Sequence, residues 1–274
     1  MKKKQMSKGL ILVAVGHANY LRMAENLANA LKYNAGELQI CLLTDGQTNR
    51  PELFSKVIPI TKKDYKYSPL EIKSKLNKYT PFKHTLYLDV DMIPTMHKSI
   101  MELFESESEF MIQNLGEAKK SDWADVDEVK KVYKLDHLTS IFSECFIWKS
   151  GELADSVFKK WQEHYHKLKV EYKKFAGYVP DELPLMIALS ELKIYPVRWV
   201  PIYWRGHGKE FLTLSMSLIH QKYYCYSIGG NANDVKMQTQ YDLLSRHYAN
   251  ATGVKFPIYT YKPKKGWDYL RQSC

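Results

Sequence analysis

The sequence has 274 residues, of which 45% are hydrophobic and 26% are charged, with 40 Lys and Arg against 30 Asp and Glu. This composition is sufficient for a folded core, and the length suits one large domain or two small ones. It excludes a chain that is disordered throughout. The 13 glycines and 11 prolines recur with no fixed period, which also excludes a collagen-like or low-complexity chain.

The net charge of +10 is distributed unevenly along the chain. Residues 1–88 carry 15 basic and 6 acidic side chains, residues 89–201 carry 15 and 20, and residues 202–274 carry 10 and 4. Both ends are therefore basic and the middle is acidic. Basic ends are typical both of a well-solvated surface and of a surface that binds a polyanion, and the charge alone does not distinguish these two cases.

The four cysteines stand far apart and form no C-x-x-C pair. This pattern argues against a disulfide framework or a zinc-thiolate site and predicts a reducing, cytoplasmic compartment. Lysines followed by an apolar run at residues 9–15 imitate a signal peptide, but the run is short and leads into a helical pattern, so we expect a buried strand. No apolar run reaches the ~18 residues that a membrane helix needs.

In the first third of the chain, the predicted elements alternate between strands and helices. Continuous apolar runs predict strands, and apolar residues spaced three and four apart predict helices. The strands are expected at residues 10–15, 38–43, 57–60 and 85–88, and the helices at residues 21–31 and 69–78.

Further elements follow in the middle of the chain. We expect strands at residues 110–112 and 141–148 and helices at residues 100–104, 153–168 and 181–192. From residue 203 onwards the sequence is aromatic, basic and predicted to be irregular, with a turn at residues 228–231. We therefore predict a core over residues 1–201 and a C-terminal extension over residues 202–274.

Alternating strands and helices favour an α/β fold built on a mostly parallel sheet. In such sheets, ligands bind beyond the carboxyl ends of the strands. This rule places residues 16–20, Asp45 and residues 89–91 on one rim.

The pair Asp89 and Asp91 follows the fourth predicted strand directly. Side chains at positions i and i+2 of an extended chain lie on one face, and two neighbouring carboxylates repel unless a cation lies between them. Their oxygens suit Mg²⁺ or Mn²⁺ and would hold a diphosphate through the ion. Two ordinary turn aspartates are the alternative. A second D-x-D, Asp125 and Asp127, lies in a polar helical stretch and is interpreted as charged surface.

No G-x-G-x-x-G or G-x-x-x-x-G-K-[ST] motif is present in the sequence. This excludes the usual dinucleotide-binding turn and the P-loop. Diphosphate binding would therefore depend on a metal ion and on lysine.

Three segments in order, residues 14–20, 73–79 and 86–91, resemble the N-terminal half of GT-A fold glycosyltransferases. The chain is most similar to the family of glycogenin and bacterial lipopolysaccharide galactosyltransferases, over roughly residues 9–192. The resemblance implies a Rossmann-like α/β domain that uses a nucleotide sugar, usually UDP-linked, with Mn²⁺ or Mg²⁺.

The resemblance also implies roles for single residues. Asn19 and Tyr20 match the loop where a ring stacks on uracil, and Lys73 matches a basic residue near the donor phosphates. Asp181 would bind sugar hydroxyls and Glu182 would stand near the anomeric carbon. From the residues alone, Tyr20 is equally a packing residue on the first helix and Lys73 a solvated helix lysine. The acidic pair is equally a first turn that suits the helix dipole.

Two positions depart from the family pattern, and the identity of one metal ligand is left open. Ser143, a candidate donor contact, and Glu144 stand where the family commonly has an asparagine and a small residue. A late histidine is the family's third metal ligand. His220 is our choice, with His207 and His247 as alternatives.

The predicted reaction is transfer of a sugar from a UDP-sugar to a hydroxyl acceptor. Chains of this kind include viral enzymes that glycosylate hydroxymethylated pyrimidines in DNA, so DNA is a predicted acceptor, and a cell-surface glycan or lipid-linked sugar is the alternative. A haloacid-dehalogenase-type phosphatase and a non-catalytic nucleic-acid-binding module are the rival functions. The donor sugar and the oligomeric state are left open.

Overall fold

The computed structural model describes residues 6–119, 121, 124–171, 180–204, 222–229 and 234–254. Six strands form the central sheet: β1 (Met6–Ala14), β2 (Ile40–Thr44), β3 (Lys56–Pro59), β4 (Phe82–Leu88), β6 (Phe110–Glu117) and β7 (Thr139–Lys149). Three short strands form a second sheet: β5 (Met92–Pro94), β8 (Ile202–Trp204) and β9 (Cys225–Ser227). The strand orders are β3-β2-β1-β4-β7-β6 and β5-β9-β8.

Helices cover both faces of the central sheet. They are α1 (Ala18–Ala35), α2 (Leu76–Tyr79), α3 (Val126–Tyr133), α4 (Glu152–Glu171), α5 (Glu182–Glu191) and α6 (Val235–Thr252). Short 3₁₀ helices span Pro51–Leu53, Pro69–Lys75 and Ile100–Glu105. In the described part of the chain, no helix combines the length and the apolar content of a membrane span.

The centre of the sheet is parallel, as the alternation predicts. β1 pairs in parallel with β2 on one side and with β4 on the other. Leu10, Ile11 and Leu12 are completely buried, because their side chains alternate between two helix-covered faces. Leu10 and Leu12 pack towards α1, whereas Ile11 packs towards α4 and α5. This confirms the predicted α/β fold class.

At one side of the sheet, β7 runs antiparallel to both of its neighbours. β7 pairs antiparallel with β4, and β6 pairs antiparallel with β7. A parallel arrangement needs a crossover connection that returns the chain to the opposite end of the sheet. The connection from β6 to β7 carries α3 but does not make that return, so the sheet is mixed at this side.

The prediction of irregular structure after residue 203 was wrong for the described residues of that region. α6 spans 18 residues, and its Met237, Tyr241, Leu244 and Tyr248 are at most 5% exposed. Their spacing of four, three and four is the helical stripe that the sequence interpretation missed. The side chain of Asp234 caps the helix by accepting from two N–H groups of its first turn.

α6 packs on α1 through a buried arginine. Arg22 is 5% exposed, and its Nη1 lies 2.6 Å from Oδ1 of Asp242. Its Nη2 donates to Gln238, and its guanidinium lies 5.4 Å from the centre of the Tyr241 ring. These contacts attach α6 to the first helix of the chain. The division at residue 201 stays a prediction.

The 3₁₀ helix Pro69–Lys75 is anchored by a buried carboxylate, that of Glu71. This side chain accepts from the N–H groups of Lys66 at 2.8 Å and Tyr67 at 3.1 Å. Its Oε1 also lies 2.6 Å from Nζ of Lys75 and 3.0 Å from Nε2 of His166. Burial would raise the pKa of Glu71, but these partners lower it to about 2. The ionised carboxylate therefore fixes the segment that carries Lys73.

We predict that Glu71→Gln destabilises the protein and changes its acid sensitivity. The pKa of Glu71 is lower in the folded chain, so its contribution is complete above the unfolded value near 4.5 and is lost as the pH falls through about 2. The full shift corresponds to about 3 kcal/mol, and we expect about half of that at pH 7 because solvent screens the charges.

Urea unfolding at pH 7 and at pH 3 checks this prediction. The difference between wild type and Glu71→Gln should shrink at the lower pH, whereas the exposed control Glu37→Gln should match wild type at both. An equal difference at the two pH values would contradict an ionised Glu71.

Candidate functional site

The site begins at the carboxyl end of β1, where the chain turns sharply into α1. Gly16 has φ +96°, and a Cβ there would lie 3.1 Å from Cγ of Pro69, so glycine is favoured on both counts. Its N–H donates to Oδ2 of Asp45 at 2.9 Å, which joins the loops after β1 and β2. This confirms that these two predicted loops share one rim.

Asn19 and Tyr20 lie in the first turn of α1. The N–H of Asn19 donates to Nδ1 of His17, the cap residue of the helix, at 3.1 Å, and the Asn19 side chain is buried. Tyr20 is partly buried and packs against the core cluster beneath α1. The packing role given as the alternative for Tyr20 is therefore present, and contact with uracil stays a prediction.

Asp89 and Asp91 follow β4 and are bound by several elements. The N–H of Asp89 donates to the carbonyl oxygen of Glu144 at 2.9 Å, and the hydroxyl of Tyr87 donates to the Asp89 carboxylate. Asp91 is 8% exposed, and its carboxylate accepts from the N–H of Gly229. Burial and the neighbouring Asp89 raise the pKa of Asp91 to about 7. Ordinary solvated turn aspartates do not have these surroundings.

Lys73 links the two halves of the site. Its Nζ lies 2.9 Å from Oδ1 of Asp89 and 2.7 Å from Oδ2 of Asp181, and it donates to Oγ of Ser143 at 3.4 Å. Lys73 is only 7% exposed, so its interpretation as a solvated helix lysine was wrong. Burial would lower the pKa of Lys73, but Asp181 and Asp89 raise it well above the usual value, and the ammonium stays charged.

Asp181 and Glu182 lie at the start of α5, but the Asp181 side chain does not cap the helix. Asp181 stands at the cap position, yet its side chain accepts no hydrogen bond from the helix backbone. Instead Oγ of Ser143 donates to Asp181 at 2.6 Å, with Glu182 the alternative acceptor at 3.2 Å. The indole N–H of Trp161 fixes the Asp181 carbonyl at 3.0 Å. Helix capping therefore does not account for Asp181, whereas Glu182 lies in the first turn of α5, as the helix-dipole interpretation expects.

The two carboxyl groups of the pair differ electrostatically. Burial would raise the pKa of Asp181, but Lys73 and the Ser143 hydroxyl hold it below the usual value, so the group stays ionised. For Glu182, burial and the charge of Asp181 raise the pKa to about 8. Near neutral pH the pair therefore offers one hydrogen-bond acceptor and one potential donor.

Glu144 is a member of the site to which the sequence interpretation gave no role. It is 9% exposed, and its Oε1 accepts from Oγ of Ser227 at 2.9 Å. Its Oε2 is covered and has no hydrogen-bond partner among the residues that the structure describes. Burial and the charges of Asp91 and Asp89 raise the pKa of Glu144 well above the usual value. The only signal in the sequence was its departure from the small residue expected there.

Carboxyl groups outnumber cations in this part of the structure. Five of them, from Asp89, Asp91, Glu144, Asp181 and Glu182, share the region with one buried lysine, Lys73, among the described residues. Oxygen-only donors and an orphaned carboxylate oxygen fit a hard divalent cation such as Mn²⁺ or Mg²⁺. Within the described ranges, no three acidic, histidine or cysteine side chains are already arranged around a metal position.

The candidate histidine ligands divide into two groups. His220 and His207 lie outside the described residues. His247 lies on α6 and lines a small cavity with Ile93 and Leu244. The identity of a histidine ligand stays a prediction.

The second D-x-D lies on the surface, as expected. Asp125 caps α3 by accepting from the N–H groups of Asp127 at 2.9 Å and Glu128 at 3.0 Å. All three residues are exposed. This pair therefore provides a natural control for Asp89 and Asp91.

The fold is similar to that of three glycosyltransferases of known structure. No protein-family model and no curated protein sequence matches the chain. Its structure is similar to that of the galactosyltransferase LgtC in complex with donor and acceptor sugar analogues, with a TM-score of 0.58 and 11% identity over 92% of this chain and 98% of LgtC. It is also similar to GlyE from Streptococcus pneumoniae (TM-score 0.53, 15% identity, 93% and 66% covered).

The bifunctional glycosyltransferase WbbM is a third similar structure, with a TM-score of 0.57 and 12% identity over 84% of this chain. This chain spans about half the length of WbbM and about two thirds of GlyE. At these identities the similarity concerns the fold, and it confirms the α/β fold expected of GT-A glycosyltransferases.

Proposed function

We propose that this protein is a metal-dependent glycosyltransferase that uses a nucleotide sugar, with UDP as the expected nucleotide. One observation carries the proposal: the Lys73 ammonium binds both Asp89 after β4 and Asp181 at the start of α5. Two motifs about 90 residues apart in the chain thereby become one site at the carboxyl rim of the sheet. The similarity to three glycosyltransferase structures supports the same proposal.

The chemistry requires stabilisation of the diphosphate that leaves the sugar. A Mn²⁺ or Mg²⁺ ion held by Asp89 and Asp91 would act as a Lewis acid towards the negative charge that develops there. Lys73 keeps its charge in the interior and orients Asp89. Asn19 and Tyr20, on the same rim, are proposed to receive the nucleotide base.

Asp181 and Glu182 are proposed to receive the donor sugar. The side chain of Asp181 is held by Lys73 and Ser143, so it is preorganised to accept a hydrogen bond from a sugar hydroxyl. The pKa of Glu182, about 8, leaves that group protonated near neutral pH and able to donate. We propose that transfer retains the anomeric configuration, as the resemblance implies.

The acceptor is proposed to be anionic, with DNA as the expected class and a cell-surface glycan or lipid-linked sugar as the alternative. A basic surface supports this: it is formed by Lys66 and Lys169 beside Tyr67, and by the exposed Lys62 and Lys63 a few positions earlier in the chain. The ammonium groups of Lys66 and Lys169 lie 4.9 Å and 5.9 Å from the centre of the Tyr67 ring. Tyr67 precedes the 3₁₀ helix that carries Lys73, so the basic surface adjoins the donor site in the chain.

We predict that Asp89→Asn weakens metal-dependent binding of UDP. Removal of this carboxylate takes away one proposed metal ligand and one partner of Lys73, so isothermal titration should show at least a tenfold weaker affinity for UDP in the presence of Mn²⁺. Asp127→Asn makes the same substitution in the solvated pair and should bind as wild type. Undiminished binding by Asp89→Asn would reject the proposed cation site.

We predict slow hydrolysis of one or more nucleotide sugars in the absence of an acceptor, and that this hydrolysis requires Mn²⁺ or Mg²⁺. A panel of UDP-, GDP- and CMP-sugars, assayed for released nucleotide with and without metal, measures this. The same preparation should leave p-nitrophenyl phosphate intact. The opposite pattern, phosphate release and no sugar release, would favour the phosphatase.

We predict that the basic surface binds DNA in a salt-dependent manner. Charge reversal by the double variant Lys66→Glu/Lys169→Glu should weaken binding of a fluorescent duplex at 50 mM salt by about tenfold or more, because two phosphate contacts are lost. Fluorescence anisotropy at several salt concentrations measures this, with Lys236→Glu on α6 as the control. If wild type shows no binding at low salt, DNA is not the acceptor.

A further inference from the structure

Glu144 is a buried carboxyl group beside the proposed cation site that the proposed mechanism does not use. It is more than nine-tenths buried, and Ser227 satisfies only one of its two oxygens. Its Oε2 is covered by protein, and no atom in the described part of the chain forms a hydrogen bond with it. Buried polar atoms are almost always paired, so an unpaired carboxylate oxygen indicates a missing partner.

The surroundings of Glu144 restrict what that partner can be. Asp91 and Asp89 are the charged groups that affect Glu144 most strongly, and Lys73 acts on it in the opposite direction more weakly. Lys73 already makes ion pairs with Asp89 and Asp181. An ionised carboxylate in this position adds repulsion when no cation is present, which raises the pKa of Glu144, and a bound cation would favour the ionised form.

One segment of the C-terminal half, Ser227–Gly229, holds both Asp91 and Glu144. The Ser227 hydroxyl donates to Oε1 of Glu144, and the N–H of Gly229 donates to the Asp91 carboxylate. The N–H of Ile228 donates to the carbonyl oxygen of Asp91 at 3.0 Å. A single stretch of three residues therefore sets the positions of two carboxyl groups relative to each other.

We propose that Glu144 is a third carboxylate ligand of the cation held by Asp89 and Asp91, bound through Oε2, the oxygen that Ser227 leaves free. This inference rests on the proposed cation site and adds a ligand to it. Ser227 acts as a positioning residue, because it fixes one oxygen and leaves the other for the ion. In the described chain the three carboxylates are not arranged around one point, so binding would require their side chains to move.

A purely structural role does not explain why a carboxyl group occupies position 144. The neighbouring Cys145 and Cys225 are fully buried, and an apolar or small side chain at position 144 would avoid placing a carboxyl group in these surroundings. A merely structural Glu144 would affect unfolding, whereas a ligand would affect metal affinity.

The test is a Mn²⁺ titration of the full chain, followed by the electron paramagnetic resonance signal of free Mn²⁺. Wild type, Asp89→Asn, Glu144→Gln and Ser227→Ala are compared with Glu107→Gln, an exposed control of the same chemistry. We expect a tenfold or greater loss of Mn²⁺ affinity for Glu144→Gln, a loss of threefold or more for Ser227→Ala, and a change of less than twofold for Glu107→Gln. The rise in melting temperature on addition of Mn²⁺ should shrink in the same order.

The outcomes separate this inference from the proposed function. If wild type binds no Mn²⁺, the proposed cation site and the role of Glu144 both fail. If Asp89→Asn loses affinity while Glu144→Gln binds as wild type, the cation site stands and the role of Glu144 is overturned. Should Glu144→Gln not fold, Ser227→Ala decides, because it leaves the carboxyl group in place. Unchanged affinity in that variant overturns the proposal.

Discussion

A charged amine in the interior of a protein is stable only when carboxylates compensate it, and Lys73 meets this condition at the point where three parts of the chain converge. Its ammonium binds Asp89 after β4 and Asp181 before α5, and it donates to Ser143 on β7. Without the lysine, the buried Asp181 and the partly buried Asp89 would be left as neighbouring charges of one sign. The arrangement of the rim therefore depends on this one side chain.

The segment that carries Lys73 is itself held by charge. Glu71, two residues earlier, accepts backbone N–H groups and pairs with Lys75 and His166. The 3₁₀ helix is thus fixed on one side by Glu71 and on the other by Lys73. This explains why a short helix with little apolar content can hold Lys73 in the interior.

The core of the fold could be predicted from the sequence because burial on both faces leaves a simple signal. The continuous apolar run at residues 10–15 and the helical spacing of Leu27 and Leu31 are local patterns, and β1 and α1 confirm them. The same reasoning placed Asp89 and Asp91 at a strand end. The stripe of Met237, Tyr241 and Tyr248 carried an equally local signal and was missed among basic and aromatic neighbours.

Most contacts of the site could not be predicted, because they join residues that are remote in sequence. The spacing of Lys73 suits a solvated helix, and only the fold shows that it reaches Asp181. Glu144 illustrates the same limit, since its departure from the expected small residue was visible while its partner Ser227, 83 positions later, was not. The antiparallel direction of β7 could not be predicted either, because the direction of a strand depends on how the whole sheet is connected.

The contacts of residues 227–229 with Asp91 and Glu144, and of α6 with Arg22, have a consequence for how the protein matures. Asp242 lies 220 positions after its partner Arg22, and loop closure over such a distance is costly in entropy and slow. During synthesis the N-terminal strands can associate first, but Asp91 and Glu144 lack these partners until residues 227–229 have left the ribosome. A nascent chain that already has its central sheet would thus still lack the contacts that fix its carboxyl cluster.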